Sequence, residues 1–72
     1  MPVDLKALEA KCRDIGRVIG HELDAHFGNR KVGFTLLLYD FSEGGHLTYL
    51  SNAERTSMIA AMREFIQNLE TH

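Results

Sequence analysis

The chain has 72 residues, a formal net charge of -2 and 44% hydrophobic residues, which describes one small globular domain over residues 1–72. This charge is too near zero to predict capture of nucleic acid or of an anionic membrane surface, and no apolar run approaches the roughly 20 residues that span a bilayer. A domain of this size buries only about 60% of its unfolded surface, so we expect further stabilisation by a disulfide, a metal ion or a partner. Because Cys12 is the single cysteine, an intrachain disulfide is excluded and self-association is the expected source of buried area.

A long amphipathic helix is predicted to follow Asp4 and to end near Phe27. The Asp4 side chain can cap the first turn, and Gly28 stands where helices often end in a left-handed residue. The apolar positions advance by three or four residues, at Leu5, Leu8, Cys12, Ile15, Ile19, Leu23 and Phe27. One face of this helix should therefore lie against the rest of the domain.

Gly16 and Gly20 lie four residues apart inside this helix, where each costs about 1 kcal/mol relative to alanine. Two glycines on one face allow another backbone to approach closely. They are explained either by packing of the helix against another element of the same chain, or by a subunit interface in which two copies of the helix cross. Gly16 and Gly20 are therefore candidate interface residues.

A β-hairpin is predicted between Val32 and Leu50. Two apolar runs are separated by the turn-forming residues 42–45, which include a pair of glycines. Alternate residues of a strand point to opposite faces, and both faces of this hairpin are apolar. Because the helices of the same chain can cover only one face, the other face needs a partner.

The register of the hairpin is predicted from a four-residue loop. With this loop the cross-strand pairs are Phe41 with His46, Tyr39 with Thr48, and Leu37 with Leu50. The surplus apolar face then supplies the candidate interface residues of the hairpin, which are Leu37, Tyr39, Phe41 and Leu50.

A second helix is predicted from its cap and its periodicity. Ser51 and Glu54 stand at the spacing of a capping box, in which the serine caps the first turn and the glutamate reaches back. Apolar residues follow at helical spacing up to about Glu70, at Met58, Ile59, Met62, Phe65, Ile66 and Leu69. We therefore predict an α+β domain of order α-β-β-α, with both helices side by side on one face of a two-stranded antiparallel hairpin, completed by oligomerisation.

The sequence contains no recognisable motif for catalysis or for metal binding. His21 and His26 lie five residues apart on the first helix, so they diverge by about 140° and cannot share a metal ion. Cys12 lies on the apolar stripe without a neighbouring histidine to activate its thiol. We therefore expect no enzyme, no metal and no cofactor, and the lone thiol is typical of the reducing cytoplasm.

The start of the second helix is the candidate for a small-molecule site. Its free backbone N–H groups, together with Ser51, Asn52 and the Arg55 guanidinium, can attract a phosphate or a carboxylate. Tyr49 or Tyr39 can stack on a base. Although the capping box competes for the same N–H groups, a small anionic ligand such as a nucleotide is the alternative ligand for this protein.

Three segments of the chain carry a resemblance: Phe34–Phe41 with the glycine pair that follows, residues 48–55, and residues 58–64. Over roughly residues 33–70 the chain resembles small uncharacterised proteins encoded in bacteriophage and prophage genomes. That group has no established activity and supplies no catalytic residues. The resemblance implies a phage accessory protein in the cytoplasm of a bacterial host, where it would modulate a host protein or interfere with a host defence.

Two functions therefore compete at the level of sequence. The first is a non-enzymatic interaction protein that self-associates, most simply as a homodimer, through the surplus face of the hairpin. The second is a binding module that sequesters a small anionic ligand at the start of the second helix. Nucleic acid and membranes are not expected partners, because the charge is near zero and slightly acidic.

Overall fold

The computed structural model describes residues 3–71 and has four elements in the order α-β-β-α. Helix α1 spans Leu5–Phe27, strand β1 Thr35–Tyr39, strand β2 Leu47–Ser51 and helix α2 Arg55–Glu70. The two strands form an antiparallel hairpin. The predicted fold class and element order are therefore confirmed.

The predicted N-terminal cap of α1 is confirmed, whereas Gly28 ends the helix with a ψ of 157°, outside the left-handed helical region that the sequence predicts. The Asp4 carboxylate accepts a hydrogen bond from the Ala7 backbone N–H at 3.1 Å, which satisfies one of the free donors of the first turn. At the other end, Gly28 has a φ of 104° and its N–H donates to the Asp24 carbonyl at 2.9 Å. Only glycine adopts such a positive φ without strain, so the helix ends where the sequence places it.

The predicted register of the hairpin is wrong by one residue. Strand pairing places Leu37 opposite Tyr49 and Tyr39 opposite Leu47, and Leu50 lies opposite Leu36. Because side chains alternate between the two faces, this shift moves Leu50 to the face opposite that of Leu37. Leu50 is therefore not part of the surplus face to which it was assigned.

The loop explains the shift, because it is longer than the four turn residues. The Asp40 backbone N–H donates to the His46 carbonyl at 3.0 Å, so this pair replaces the predicted pairing of Phe41 with His46. Inside the loop, the Ser42 N–H donates to the Asp40 carboxylate at 2.7 Å, and the Gly45 N–H donates to the Ser42 carbonyl at 2.9 Å. The Asp40 side chain thus organises its own turn and leaves Phe41 outside the ladder.

Helix α1 packs on one face of the hairpin, mainly against β2. We call this the inner face; it carries Leu36, Leu38, Thr48 and Leu50. An alanine Cβ at position 16 would lie 2.0 Å from the Leu50 Cδ2 atom, so Gly16 allows the strand to approach. At position 20 a Cβ would lie 3.6 Å from the Phe34 ring, which is ordinary contact. The structure thus shows the within-chain packing of these glycines.

Helix α2 begins later than the capping box predicts. Its N-cap is Glu54, whose side chain makes no capping hydrogen bond, and Ser51 is instead the last residue of β2, opposite Thr35. The Ser51 hydroxyl donates to the Phe34 carbonyl at 2.8 Å. The capping-box prediction is therefore wrong, because the serine side chain is used by the strand pair.

Asn52 joins the same set of hydrogen bonds. Its Oδ1 atom accepts from the Phe34 N–H at 2.8 Å, and its Nδ2 atom donates to the Val32 carbonyl at 3.1 Å. The Ala53 N–H donates to the Ser51 hydroxyl at 3.1 Å. We call Ser51 and Asn52 the clamp, because they tie the connection between β2 and α2 to the chain that enters β1.

Helix α2 does not lie beside α1 on the hairpin as predicted. Among the four elements, close packing joins α1 to both strands and the strands to each other, whereas α2 approaches the other elements only marginally. Met58 at its start is buried, but the later apolar residues are not. The radius of gyration is 14.1 Å, compared with about 11 Å for a compact domain of this length. The chain alone is therefore an open structure.

Candidate functional site: an unpartnered apolar surface

The hairpin face opposite α1 is apolar and exposed. It carries Leu37 and Tyr39 of β1 beside Tyr49 and Leu47 of β2, and we call these four residues the outer hairpin face. Their side chains are between 47% and 64% exposed. The cross-strand pairs place an aromatic ring beside a leucine in each row, which is a favourable pairing on a sheet surface. This face is ready to be covered by another apolar surface.

Phe41 extends this surface at the tip of the hairpin. Its side chain is 94% exposed, and its ring meets the Tyr39 ring edge to face, with 5.6 Å between the ring centroids. Burial of an aromatic side chain contributes stabilising free energy, and a nearly fully exposed ring contributes almost none. Phe41 is therefore a natural contact residue for a partner, as the sequence predicts for Leu37, Tyr39 and Phe41.

The apolar stripe of α2 is the second exposed surface. We call Met58, Ile59, Met62, Phe65, Ile66 and Leu69 the α2 stripe. Its C-terminal members, Phe65, Ile66 and Leu69, are between 52% and 63% exposed. An open groove of about 410 Å³ separates Met62 and Phe65 from Phe34 at the entry to β1. The C-terminal half of the stripe is thus exposed, whereas Met58 is buried and Ile59 and Met62 are half-buried.

The total surface area shows how much of the chain lacks a partner. The accessible surface is 6080 Å², whereas a compact monomer of 8.1 kDa exposes about 4,500 Å². The excess of about 1,600 Å² per chain lies within the range of obligate dimers, which bury about 1,000–2,500 Å² on each partner. Among the described residues, Cys12 and Met58 are the only apolar side chains that are buried.

Three of the predicted interface residues take part in the contact between α1 and the inner face. Gly16 is buried against Leu50, and Gly20 lies beside the Phe34 ring. Gly16 is buried, whereas Gly20 and Leu50 are half-buried and line an open groove of about 340 Å³. The exposed apolar surface consists of Leu37, Tyr39 and Phe41, together with Leu47, Tyr49 and the C-terminal part of the α2 stripe.

The environment of Asp40 at the tip of the hairpin changes the acidity of its carboxyl group. Hydrogen bonds from the Ser42 backbone N–H, from the Val3 N–H and from the Ser42 hydroxyl hold the pKa of the Asp40 carboxyl below its ordinary value. His46 adds a smaller favourable charge interaction. The carboxylate thus fixes the loop that carries Phe41 and ties residue 3 to it.

The predicted anion site is only partly assembled. Tyr49, Ser51 and Arg55 line one open groove of about 500 Å³, together with Glu9 of α1. Asn52 lies outside this groove, and the side chains of Ser51 and Asn52 are engaged in the clamp. The acidic side chain of Glu54 stands at the N-cap of α2. These features weigh against capture of an anion at this helix start.

The structure shows no metal centre and no membrane span within residues 3–71. No group of three or more His, Cys, Asp or Glu side chains is placed to hold a metal ion there. Neither described helix is long and apolar enough to cross a bilayer. Cys12 is buried under the hairpin, where its thiol acts as a small apolar side chain.

Comparison with known proteins adds no further likeness. No protein-family model matches the chain, and no curated protein or solved structure is significantly similar to it. The resemblance to phage and prophage proteins over residues 33–70 therefore stays a prediction. The function must be argued from the surfaces themselves.

The sequence did contain a signal for the part of the surface that was missed. Residues 58, 62, 65 and 69 follow a spacing of four, three and four, which is typical of a helix that packs against another surface along its whole length. From the sequence, this stripe is predicted to pack on the hairpin of its own chain. Periodicity identifies which face of a helix is apolar, but it does not identify what covers that face.

Proposed function

We propose that this protein is a non-enzymatic interaction protein that works as a self-associated assembly, most simply a homodimer. The observation that carries the proposal is the excess surface of about 1,600 Å² per chain, most visibly on the outer hairpin face and the α2 stripe. Burial of apolar area yields roughly 25 cal/mol per Å², and this chain leaves much of that gain unused. A second copy recovers it without a further gene product.

A self-associated form also explains how so small a chain folds. Its lone cysteine is buried and forms no disulfide, and close packing within the chain joins mainly α1 and the two strands. Chains of this size usually obtain the missing stability from oligomerisation when disulfides and metals are lacking. We propose that assembly adds to the stability of the folded chain in this protein.

We extend the proposal to a biological context from the resemblance to phage and prophage proteins. The assembled protein would act in the cytoplasm of a bacterial host by binding a host protein, for example a component of a defence system. This extension rests on the resemblance alone. The geometry favours assembly over the alternative of nucleotide binding, because the clamp occupies Ser51 and Asn52.

The first test of self-association is light scattering after size-exclusion chromatography over a concentration series. The wild-type protein is expected to show twice the chain mass of 8.1 kDa. Leu37→Glu places a charge on the outer hairpin face and should yield a monomer, because an unpaired charge in an apolar interface is costly. Val18→Glu is the matched control: Val18 is an exposed apolar residue of α1, and its variant should stay a dimer. A monomeric wild-type protein at every concentration would refute the proposal.

A further inference from the structure

We infer that the α2 stripe of each chain covers the outer hairpin face of a second copy, so that the two copies exchange α2. This inference rests on the proposed self-association and names its contact surfaces. The outer hairpin face and the C-terminal part of the α2 stripe, Phe65, Ile66 and Leu69, are exposed on the same chain, and α2 makes few close contacts with the other elements. A symmetric dimer must use the same patch on both copies.

The area decides among the symmetric arrangements. Pairing two hairpins through their outer faces would leave both α2 stripes exposed, and pairing two α2 helices would leave both outer hairpin faces exposed. Only a reciprocal contact between α2 and the hairpin covers all four surfaces with one two-fold operation. The excess of about 1,600 Å² per chain requires that both surfaces be covered.

The dimensions of the two surfaces agree. Met58 is buried within its own chain, so the part of the stripe that can reach a partner runs from Met62 to Leu69, which is seven residues or about 10 Å at 1.5 Å per residue. Each strand advances four residues from its first to its last, or about 14 Å at 3.4 Å per residue. The free part of α2 can therefore cover most of the length of the hairpin.

The chemistry of the outer hairpin face also suits a helix. Its residues are apolar or aromatic, and the remaining outward positions of the strands are Thr35 and Ser51. No charged side chain belongs to the strands, so covering them buries no unpaired charge. The Tyr39 and Tyr49 hydroxyls can stay at the rim, where tyrosine is favoured because one end is apolar and the other polar.

The clamp explains why α2 covers another chain instead of its own. A fold-back of α2 onto the outer face would have to reverse the chain within residues 52–54. Asn52, the first of those residues, is held by hydrogen bonds to Phe34 and Val32, and Ser51 before it is held to Phe34. Burial of Met58 fixes the first turn of α2 in addition. The clamp therefore sets the direction of α2 and presents its stripe to a partner, as in domain swapping.

Cross-linking between two differently labelled chains tests this arrangement. In a Cys12→Ala background, the variants Tyr49→Cys and Ile66→Cys are mixed, unfolded, refolded together and treated with a short bismaleimide. We expect a covalent dimer in the mixture and little in either variant alone. Gln67→Cys is the matched control, since Gln67 lies on the side of α2 away from the stripe; mixed with Tyr49→Cys it should cross-link at least tenfold less.

The outcomes separate this inference from the proposed self-association. If light scattering shows a dimer but Ile66→Cys cross-links only with itself, two α2 helices pair and the exchange is wrong. If Tyr49→Cys cross-links only with itself, two hairpins pair and the exchange is again wrong. A chain carrying both cysteines that cross-links internally at high dilution would show fold-back and overturn the inference. A monomer in light scattering would overturn the proposed function as well.

Discussion

The two helices of this protein are both amphipathic, yet only one of them has a partner within the chain. Helix α1 lies on the inner face of the hairpin, with Cys12 buried and Gly16 in contact with Leu50. Helix α2 buries Met58 in its first turn and leaves Phe65, Ile66 and Leu69 exposed. An apolar stripe therefore indicates that a helix face is to be buried. The connections of the chain determine whether that face is buried within one copy.

The glycines and the clamp are the residues that produce this difference. Gly16 removes the side chain that would keep α1 away from Leu50, so α1 reaches the hairpin. Asn52 holds the connection to α2 against the chain before β1, and α2 makes few close contacts with the other elements. The absence of a side chain at Gly16 thus allows α1 to pack on the hairpin, whereas the hydrogen bonds of Asn52 hold the start of α2 beside the entry to β1.

The largest expected effect on stability is that of Leu50→Ala in the contact of α1 with the hairpin, compared with Leu69→Ala on the exposed part of α2. Leu50→Ala should destabilise the protein by about 2 kcal/mol even at dilutions where it is monomeric, because Leu50 packs within the chain. Leu69→Ala removes the same atoms from an exposed site, so it should change stability only at concentrations where the protein associates. Urea unfolding at two concentrations, followed by circular dichroism, makes the comparison.

One result would contradict the predicted difference between these two leucines. If Leu69→Ala lowers the urea midpoint of the dilute monomer as much as Leu50→Ala does, then α2 packs within its own chain. The contrast between the two halves would then be lost. If neither variant changes stability at either concentration, the contact of α1 with β2 does not hold the monomer together.

The packed half was easier to predict from the sequence than the open half. The Asp4 cap and Gly28 mark the ends of α1 through local chemistry, and the structure begins and ends the helix there. The order of elements also follows from local patterns. Local signals therefore suffice where the decisive interactions are between residues close in the chain.

The errors arise where a side chain has a long-range partner. Ser51 fits a capping box, but its hydroxyl donates to the Phe34 carbonyl 17 positions earlier, and the helix begins at Arg55. The register failed because the Asp40 carboxylate lengthens the loop, which the glycine pair alone does not reveal. The position of α2 was unpredictable for the same reason, since the clamp that directs it is made across the strands.

A smaller effect is expected from alanine at the two glycines of α1. Gly16→Ala should lower the free energy of unfolding by about 1 kcal/mol, because overpacking against Leu50 outweighs the gain in helix propensity. Gly20→Ala meets only ordinary contact with Phe34, so it should raise this free energy by about 1 kcal/mol. Urea midpoints of both variants at one concentration check the opposite signs, and an increase for both would show that Leu50 moves aside freely.

The smallest expected effect concerns Asp40 and depends on pH. Because hydrogen bonds lower the pKa of this carboxyl in the folded protein, the charged form contributes stability above its unfolded pKa of about 3.9 and loses it as the pH falls through the folded pKa. Asp40→Asn should therefore lower the urea midpoint at pH 7, and the difference from wild type should shrink below about pH 4. Asp24→Asn serves as the control, because the Asp24 carboxylate accepts only one described hydrogen bond, from the Arg30 N–H. A difference for Asp40→Asn that stays constant from pH 7 to pH 3 would show that the amide disturbs the loop by its shape, and the carboxylate charge would then have no part in holding the hairpin tip.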